Sequence, residues 1–183
     1  MSAMIEQRVH QQGFTLLEIL VAIVVLSLGL LGLAGLQAVS LRYNQTAYYR
    51  SIATQQAFDM ADRIRANLAG VRAGNYNNLS GTLSTIVAVD PNCVTTTAGC
   101  SSSQLATTDY RQWRIINDAL MPGGGGTVCL DDPGTAAVDC LAAGSYNREW
   151  PFVITVTWTE KTAPTVANPQ GVITQSFVTR FRP

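Results

Sequence analysis

The hydrophobic and polar positions change character three times along the chain. From Ile19 to Leu36 it reads ILVAIVVLSLGLLGLAGL, with no charged residue and no proline. As a helix rising about 1.5 Å per residue, Phe14 to Leu36 spans roughly 35 Å, enough to cross a hydrocarbon core of about 30 Å. From Gln37 to Ala69 the chain turns polar, still without Pro or Gly. Ala53, Ala57, Met60, Ala61, Ile64 and Leu68 fall within about a third of a helical circumference. Asp59 and Arg63 are spaced i,i+4, and Asp62 and Arg65 i,i+3, on the solvated side. Gly70 offers a C-cap. The pattern predicts one helix from Phe14 to Ala69, roughly 84 Å long if straight. Its first half would face lipid or other helices, and its second half would lie on a folded domain through the stripe.

Beyond Gly70 the pattern is that of a small mixed domain. Gly70 to Ser103 is rich in Gly, Asn, Ser and Thr, with Ile86-Val87-Ala88-Val89 as its apolar island, and reads as a connection. Asp109 to Leu120 (DYRQWRIINDAL) predicts a second amphipathic helix with Tyr110, Trp113, Ile116 or Asn117, and Leu120 on one face; Pro122 and the run Gly123–Gly126 stop it. That run lacks the G-K-[ST] ending of a phosphate loop and reads as a flexible connector. Thr127–Leu130 and Val138–Leu141 flank the turn Asp131-Asp132-Pro133-Gly134, a hairpin whose symmetric register sets Cys129 opposite Cys140. Trp150–Thr159 alternates Phe152, Ile154, Val156 and Trp158 against Thr155, Thr157 and Thr159. Lys161–Gly171 is a loop, and Val172–Arg182 closes the set. The expected class is α+β: a long N-terminal helix packed on a four-stranded antiparallel sheet.

Charge and cysteines narrow the compartment. Twelve basic and twelve acidic residues cancel, so nothing argues for nucleic acid as a partner. Cys93, Cys100, Cys129 and Cys140 all follow the apolar run. An even count in a translocated domain predicts two disulfides. Three connectivities are possible; the sequential one, Cys93–Cys100 and Cys129–Cys140, is favoured because each closes a short local loop, with four free thiols or a zinc site as further alternatives. Zinc is disfavoured because no C-x-x-C spacing exists and no histidine lies nearby.

Catalytic chemistry is sparse. The single histidine is His10, so the chain after Gly13 has no material for Ser-His-Asp or Cys-His catalysis or for a histidine metal site. Asp131, Asp132 and Asp139 cluster in sequence, and Asp90-Pro91-Asn92 is a second acidic turn, but both read as turns. The tryptophans Trp113, Trp150 and Trp158 sit at core-like positions. The reading is of a protein that is not an enzyme and needs neither cofactor nor metal.

One residue of the apolar segment is out of keeping with lipid. Glu18 lies in its first turns, where an unpaired carboxylate costs several kcal/mol. Either the span starts at Ile19 and Glu18 sits among headgroups, or Glu18 meets a cation at the same depth. The surrounding Gly13-Phe14-Thr15-Leu16-Leu17-Glu18-Ile19-Leu20-Val21-Ala22 resembles the type III signal of type IV pilins and of type II secretion pseudopilins. That resemblance implies cleavage by a prepilin peptidase between Gly13 and Phe14 and N-methylation of Phe14. It also implies that Glu18 neutralises the N-terminal amine of a neighbouring subunit during filament assembly. The leader 1–13 carries Arg8 and His10 against Glu6, with Met4 as an alternative start. Its cut would precede the apolar region, unlike that of an ordinary secretory signal. Four segments are expected: leader 1–13, hydrophobic membrane or filament-core helix 14–36, amphipathic continuation 37–69, and periplasmic globular domain 70–183. Gly29, Gly32 and Gly35 recur every third residue. They suit either close helix packing or, as the resemblance implies, local melting inside a filament.

The C-terminal part adds a finer likeness. The Trp113 helix, Leu120-Met121-Pro122-Gly123-Gly124, F-V-I-T-V-T-W and the closing F-V-T-R-F-R-P resemble the PilV subfamily of minor pilins, the type IV pilus modification proteins. The connection Gly70–Ser103 carries no such likeness. The resemblance implies a type IV pilin fold and a minor pilin of a priming or tip complex. It would sit in the inner membrane before assembly, with its domain in the periplasm, and near the pilus tip afterwards. Implied partners are the prepilin peptidase, other minor pilins, the major pilin, the inner membrane and a tip adhesin. A minor pseudopilin of type II secretion and an uncleaved, membrane-anchored periplasmic binding module are the alternatives.

Overall fold

A computed structural model describes residues 13–94, 99–134, 140, 147 and 149–183. The chain divides into two compact units between Gln45 and Thr46.

In the first unit the chain is helical from Leu16, the start of α1 (Leu16–Ala66). The Thr15 carbonyl accepts from the Glu18 and Ile19 amides at 3.1 and 3.3 Å, and Thr15 Oγ1 accepts from the Glu18 amide at 3.3 Å. A side-chain acceptor of this kind satisfies an amide that a helix start leaves orphaned, so α1 begins at Leu16 rather than Phe14. It runs unbroken through Gly29, Gly32 and Gly35.

The second unit is built on the remainder of α1. Ile52, Ala53, Gln56, Ala57, Met60, Ala61 and Ile64 are buried there. The expected stripe holds except at its end, where Leu68 is 47 % exposed. The helix stops at Ala66, and a separate α2 (Leu68–Arg72) follows. Gly70 is therefore not a C-cap. Asn67 breaks the helix because its side chain is drawn inward: Oδ1 accepts from the Gly70 amide at 3.0 Å, while Nδ2 donates to Ser102 O at 2.8 Å and to Tyr76 Oη at 3.1 Å. Three hydrogen bonds, two of them buried, outweigh the one or two helical bonds forgone.

A 3₁₀ turn at Pro91–Cys93 lies within the expected connection. The second long helix, α3 (Ser102–Leu120), starts well before Asp109. Ser101 and Gln104 form a reciprocal capping box, the S-x-x-Q signature of a helix start. Tyr110, Trp113 and Asn117 point inward; Leu120 is 44 % exposed.

The described residues form a three-stranded antiparallel sheet in the order β1 (Gly125–Leu130), β2 (Phe152–Lys161), β3 (Val172–Phe181). Three of the four expected strands lie among the described residues. Of the predicted strand Val138–Leu141, Val138, Asp139 and Leu141 lie outside the described residues. Cys140 makes an isolated bridge to Asp131. The symmetric register is corrected: the bridge sets Asp131, not Cys129, opposite Cys140, while β1 pairs along its length with β2, with Cys129 opposite Val153. Phe152, Ile154, Val156 and Trp158 face inward as the alternation predicts. They share one core with the α1 stripe, Tyr110 and Trp113 of α3, and Tyr76.

The glycine run is not a flexible connector. Gly124, Gly125 and Gly126 are buried, and the last two belong to β1. At Gly126 a Cβ would collide with the Trp113 ring and lie 2.6 Å from Thr155 O. Only a residue without a side chain lets α3 settle this close to the strand.

Candidate assembly segment

The residues singled out for assembly lie at the start of the first unit. Every residue from Gly13 to Gln45 is exposed in the single chain, including Phe14 at 78 % and Leu16 at 83 %. A run of apolar side chains this long, open to water, marks a surface that lipid or other proteins must cover. Its length and composition suffice to cross a membrane. Glu18 is the acidic residue of the first turn of α1, where a carboxylate is favoured by the helix dipole. The ion pairs among the described residues, Arg63 with Asp59 and Asp109, Arg65 with Asp62, and Arg180 with Asp131, do not include it. Gly13, Phe14 and Glu18 thus lie together at one helix start, with the carboxylate one turn from the aromatic. Arg8, His10 and the rest of the leader lie outside the described residues.

The cysteines pair sequentially: Cys93 with Cys100 and Cys129 with Cys140, at Cα separations of 5.0 and 5.3 Å. The first ties the 3₁₀ turn to the approach to α3; the second ties β1 to Cys140.

The acidic residues of the second unit serve structure. Asp131 is fully buried and its Oδ2 accepts from Arg180 Nε at 2.8 Å. Asp132 accepts from the Gly134 amide at 2.8 Å, as a turn residue does; Asp139 lies outside the described residues. Asp90 caps the 3₁₀ turn and accepts from Gln104 Nε2 at 2.7 Å. Among the described residues no group of His, Cys, Asp or Glu is placed to hold a metal.

A polar cluster joins residues that the sequence pattern does not bring together. Tyr76 Oη donates to Asp109 Oδ2 at 2.6 Å and accepts from Asn67 Nδ2. Arg63 reaches Asp109 Oδ1 at 3.5 Å, Asp59 at 2.9 Å and Gln112 Oε1 at 3.1 Å. Burial pushes the Asp109 carboxyl above the ordinary range, against the opposing pull of Tyr76 and Arg63. Burial and Asp109 together raise Tyr76, and burial pushes Tyr110 up to about 12. The cluster joins α1, the segment after α2, and α3; its groups satisfy one another and leave no free base or nucleophile. A nearby cleft lined by Leu79, Thr85, Ile86, Thr107 and Tyr110 holds about 180 Å³, below the roughly 300 Å³ of small ligand pockets. Asn67 and Asp109 had only local sequence roles to suggest them, as a helix residue and a helix start. Tyr76 stood in a stretch read as connection.

Residues 8–34 match the prokaryotic N-terminal methylation motif, and residues 35–111 match the family of type IV pilin Tt1218. The first match contains Gly13, Phe14 and Glu18. The second runs through the connection Gly70–Ser103 and ends inside α3. No curated protein and no solved structure matches the chain.

Proposed function

Because this chain is type IV pilin-like, with a methylation motif leading directly into a type IV pilin match, we propose that it is a minor pilin acting in type IV pilus assembly. The family is structural, not enzymatic. The observation that carries the reading is the exposed apolar helix of the first unit with Glu18 at its start. In the proposal a prepilin peptidase cuts between Gly13 and Phe14, and Phe14 is N-methylated. The segment from Phe14 to about Leu36 anchors the protein in the inner membrane with its disulfide-bonded domain in the periplasm. On assembly the same segment packs among other pilins in a priming or tip complex. There Glu18 meets the Phe14 amine of a neighbour, which offsets the cost of burying each charge alone. The closing resemblance to the PilV subfamily lies beyond residue 111 and supports the minor-pilin assignment over a major one.

Intact mass of the membrane-extracted protein tests the cut. A mass beginning at Phe14 with one added methyl is expected; a mass retaining residues 1–13 sinks the proposal in favour of an uncleaved anchor. Glu18→Ala should abolish co-purification with partner pilins while membrane insertion persists, and unchanged co-purification refutes the pairing. Loss of twitching in a deletion strain assigns the protein to the pilus; loss of exoprotein secretion instead assigns it to a type II pseudopilus.

A further inference from the structure

We infer that Arg114 forms a carboxylate-binding site on the outer face of the sheet, where its guanidinium lies beside Gly125 and Thr157. Three residues on one side of α3 approach the glycine run. Tyr110 Oη donates to Gly126 O at 2.9 Å, Asn117 Nδ2 to Gly125 O at 3.2 Å, and Arg114 Nη1 to Gly124 O at 3.2 Å. Tyr110 and Asn117 thereby satisfy donors, though Asn117 Oδ1, an acceptor, is buried without a partner. Arg114 does not satisfy all of its donors: a guanidinium has five N–H donors, and its Nε is buried without a partner. The residue is 7 % exposed, and no ion pair among the described residues includes it.

The strand register shows where this cation lies. Gly125 pairs with Thr157, and residues directly opposite point to the same face. Phe152, Ile154, Val156 and Trp158 fill the inner face, so Gly125 and Thr157 belong to the outer one. A Cβ on Gly125 would lie 2.9 Å from Arg114 Nη1 and collide with Thr157 Oγ1. The guanidinium therefore reaches from α3 past β1 into the space a side chain at position 125 would fill, beside a half-exposed threonine hydroxyl.

A buried, uncompensated guanidinium is unfavourable, and its planar fork is the partner of a planar, bidentate anion. A carboxylate entering over Thr157 accepts from the fork and takes the Thr157 hydroxyl as a further donor. The carboxylate is either an acidic side chain of a neighbouring subunit or a free small carboxylate.

The test uses the full chain in detergent, ¹⁵N-labelled, titrated with sodium acetate against sodium chloride at fixed ionic strength. Saturable shifts of the Arg114 Nε–Hε signal and of the Gly125 and Thr157 amides are expected with acetate alone. Arg114→Gln should abolish them. Gly125→Ala, whose methyl would displace the guanidinium, and Arg114→Lys, which keeps the charge without the fork, should each weaken acetate about tenfold or more. Shifts that chloride reproduces, or that survive these substitutions, overturn the site. A photo-crosslinking residue at Ser176, which pairs with Thr157 from β3, identifies the source. An adduct with a neighbouring subunit that disappears in Arg114→Gln assigns the carboxylate to that subunit; acetate binding without such an adduct assigns it to a free carboxylate.

Discussion

Tyr76→Phe removes one oxygen from the buried cluster and leaves the ring in place. The hydroxyl donates to Asp109 at 2.6 Å and accepts from Asn67 at 3.1 Å. Asn67 keeps its bond to Ser102 O at 2.8 Å, and Asp109 keeps Arg63 at 3.5 Å. The loss is therefore dominated by one hydrogen bond to a buried carboxylate, worth about 1.5–3 kcal/mol, with no cavity beyond a hydroxyl. About 2 kcal/mol of destabilisation is expected near neutral pH. The pH dependence carries a sign. Burial holds the folded Asp109 carboxyl above its ordinary value, so the native state retains its proton longer than the unfolded chain. The stability linked to that proton is fully present below the unfolded value and is lost as pH rises through the folded one. Tyr76 lowers the Asp109 value by bonding its charged form. Removing the hydroxyl raises that value further, and the variant's deficit must grow with pH. Denaturant unfolding of the full chain in detergent, followed by the fluorescence of buried Trp113 and Trp158, measures this at about pH 4.5 and about pH 7.5. A deficit under about 0.5 kcal/mol at the higher pH, or one equal at both, refutes the assignment of the hydrogen bond to the ionised carboxylate.

Gly126→Ala sets a methyl against Trp113 and Thr155 O and should cost about 1–3 kcal/mol or more by overpacking, with loss of the near-ultraviolet dichroism of Trp113; a Gly35→Ala control, where a Cβ meets nothing within 4 Å, should leave that signal unchanged. Tyr110 is raised from 10.0 to about 12 by burial, so its contribution is present below pH 10.0 and is lost as pH rises through about 12, up to roughly 2–3 kcal/mol. Tyr110→Phe should flatten that alkaline limb while costing about 1 kcal/mol at neutral pH for the lost bond to Gly126 O; an unchanged limb in unfolding curves between about pH 9 and 12 excludes Tyr110 as its source.

Local pattern determined much of this protein. The apolar run, the stripe from Ala53 to Ile64 and the alternation of Phe152 to Trp158 follow from periodicity, because each depends on neighbours in the chain; spacing favoured the sequential cysteine pairs among three connectivities, and the structure decided them. The processing signal is likewise local. The capping box at Ser101 and Gln104 was also written in the sequence and would have placed the start of α3. What only the tertiary structure decided is where long-range contacts override local preference. Asn67 sits in a good helical context, yet Tyr76 and Ser102 draw it inward and end α1. Thr127–Leu130 has a turn after it, yet its ladder is formed with β2, which the sequence places more than twenty residues further on. The glycine run reads as slack but is close packing, since a missing side chain looks the same in sequence whether it gives freedom or lets Trp113 and Arg114 approach. The ion pairs among the described residues leave Glu18 out, so neither the local pattern nor the fold of these residues decides its partner; the proposed pairing with a neighbouring subunit is what Glu18→Ala tests.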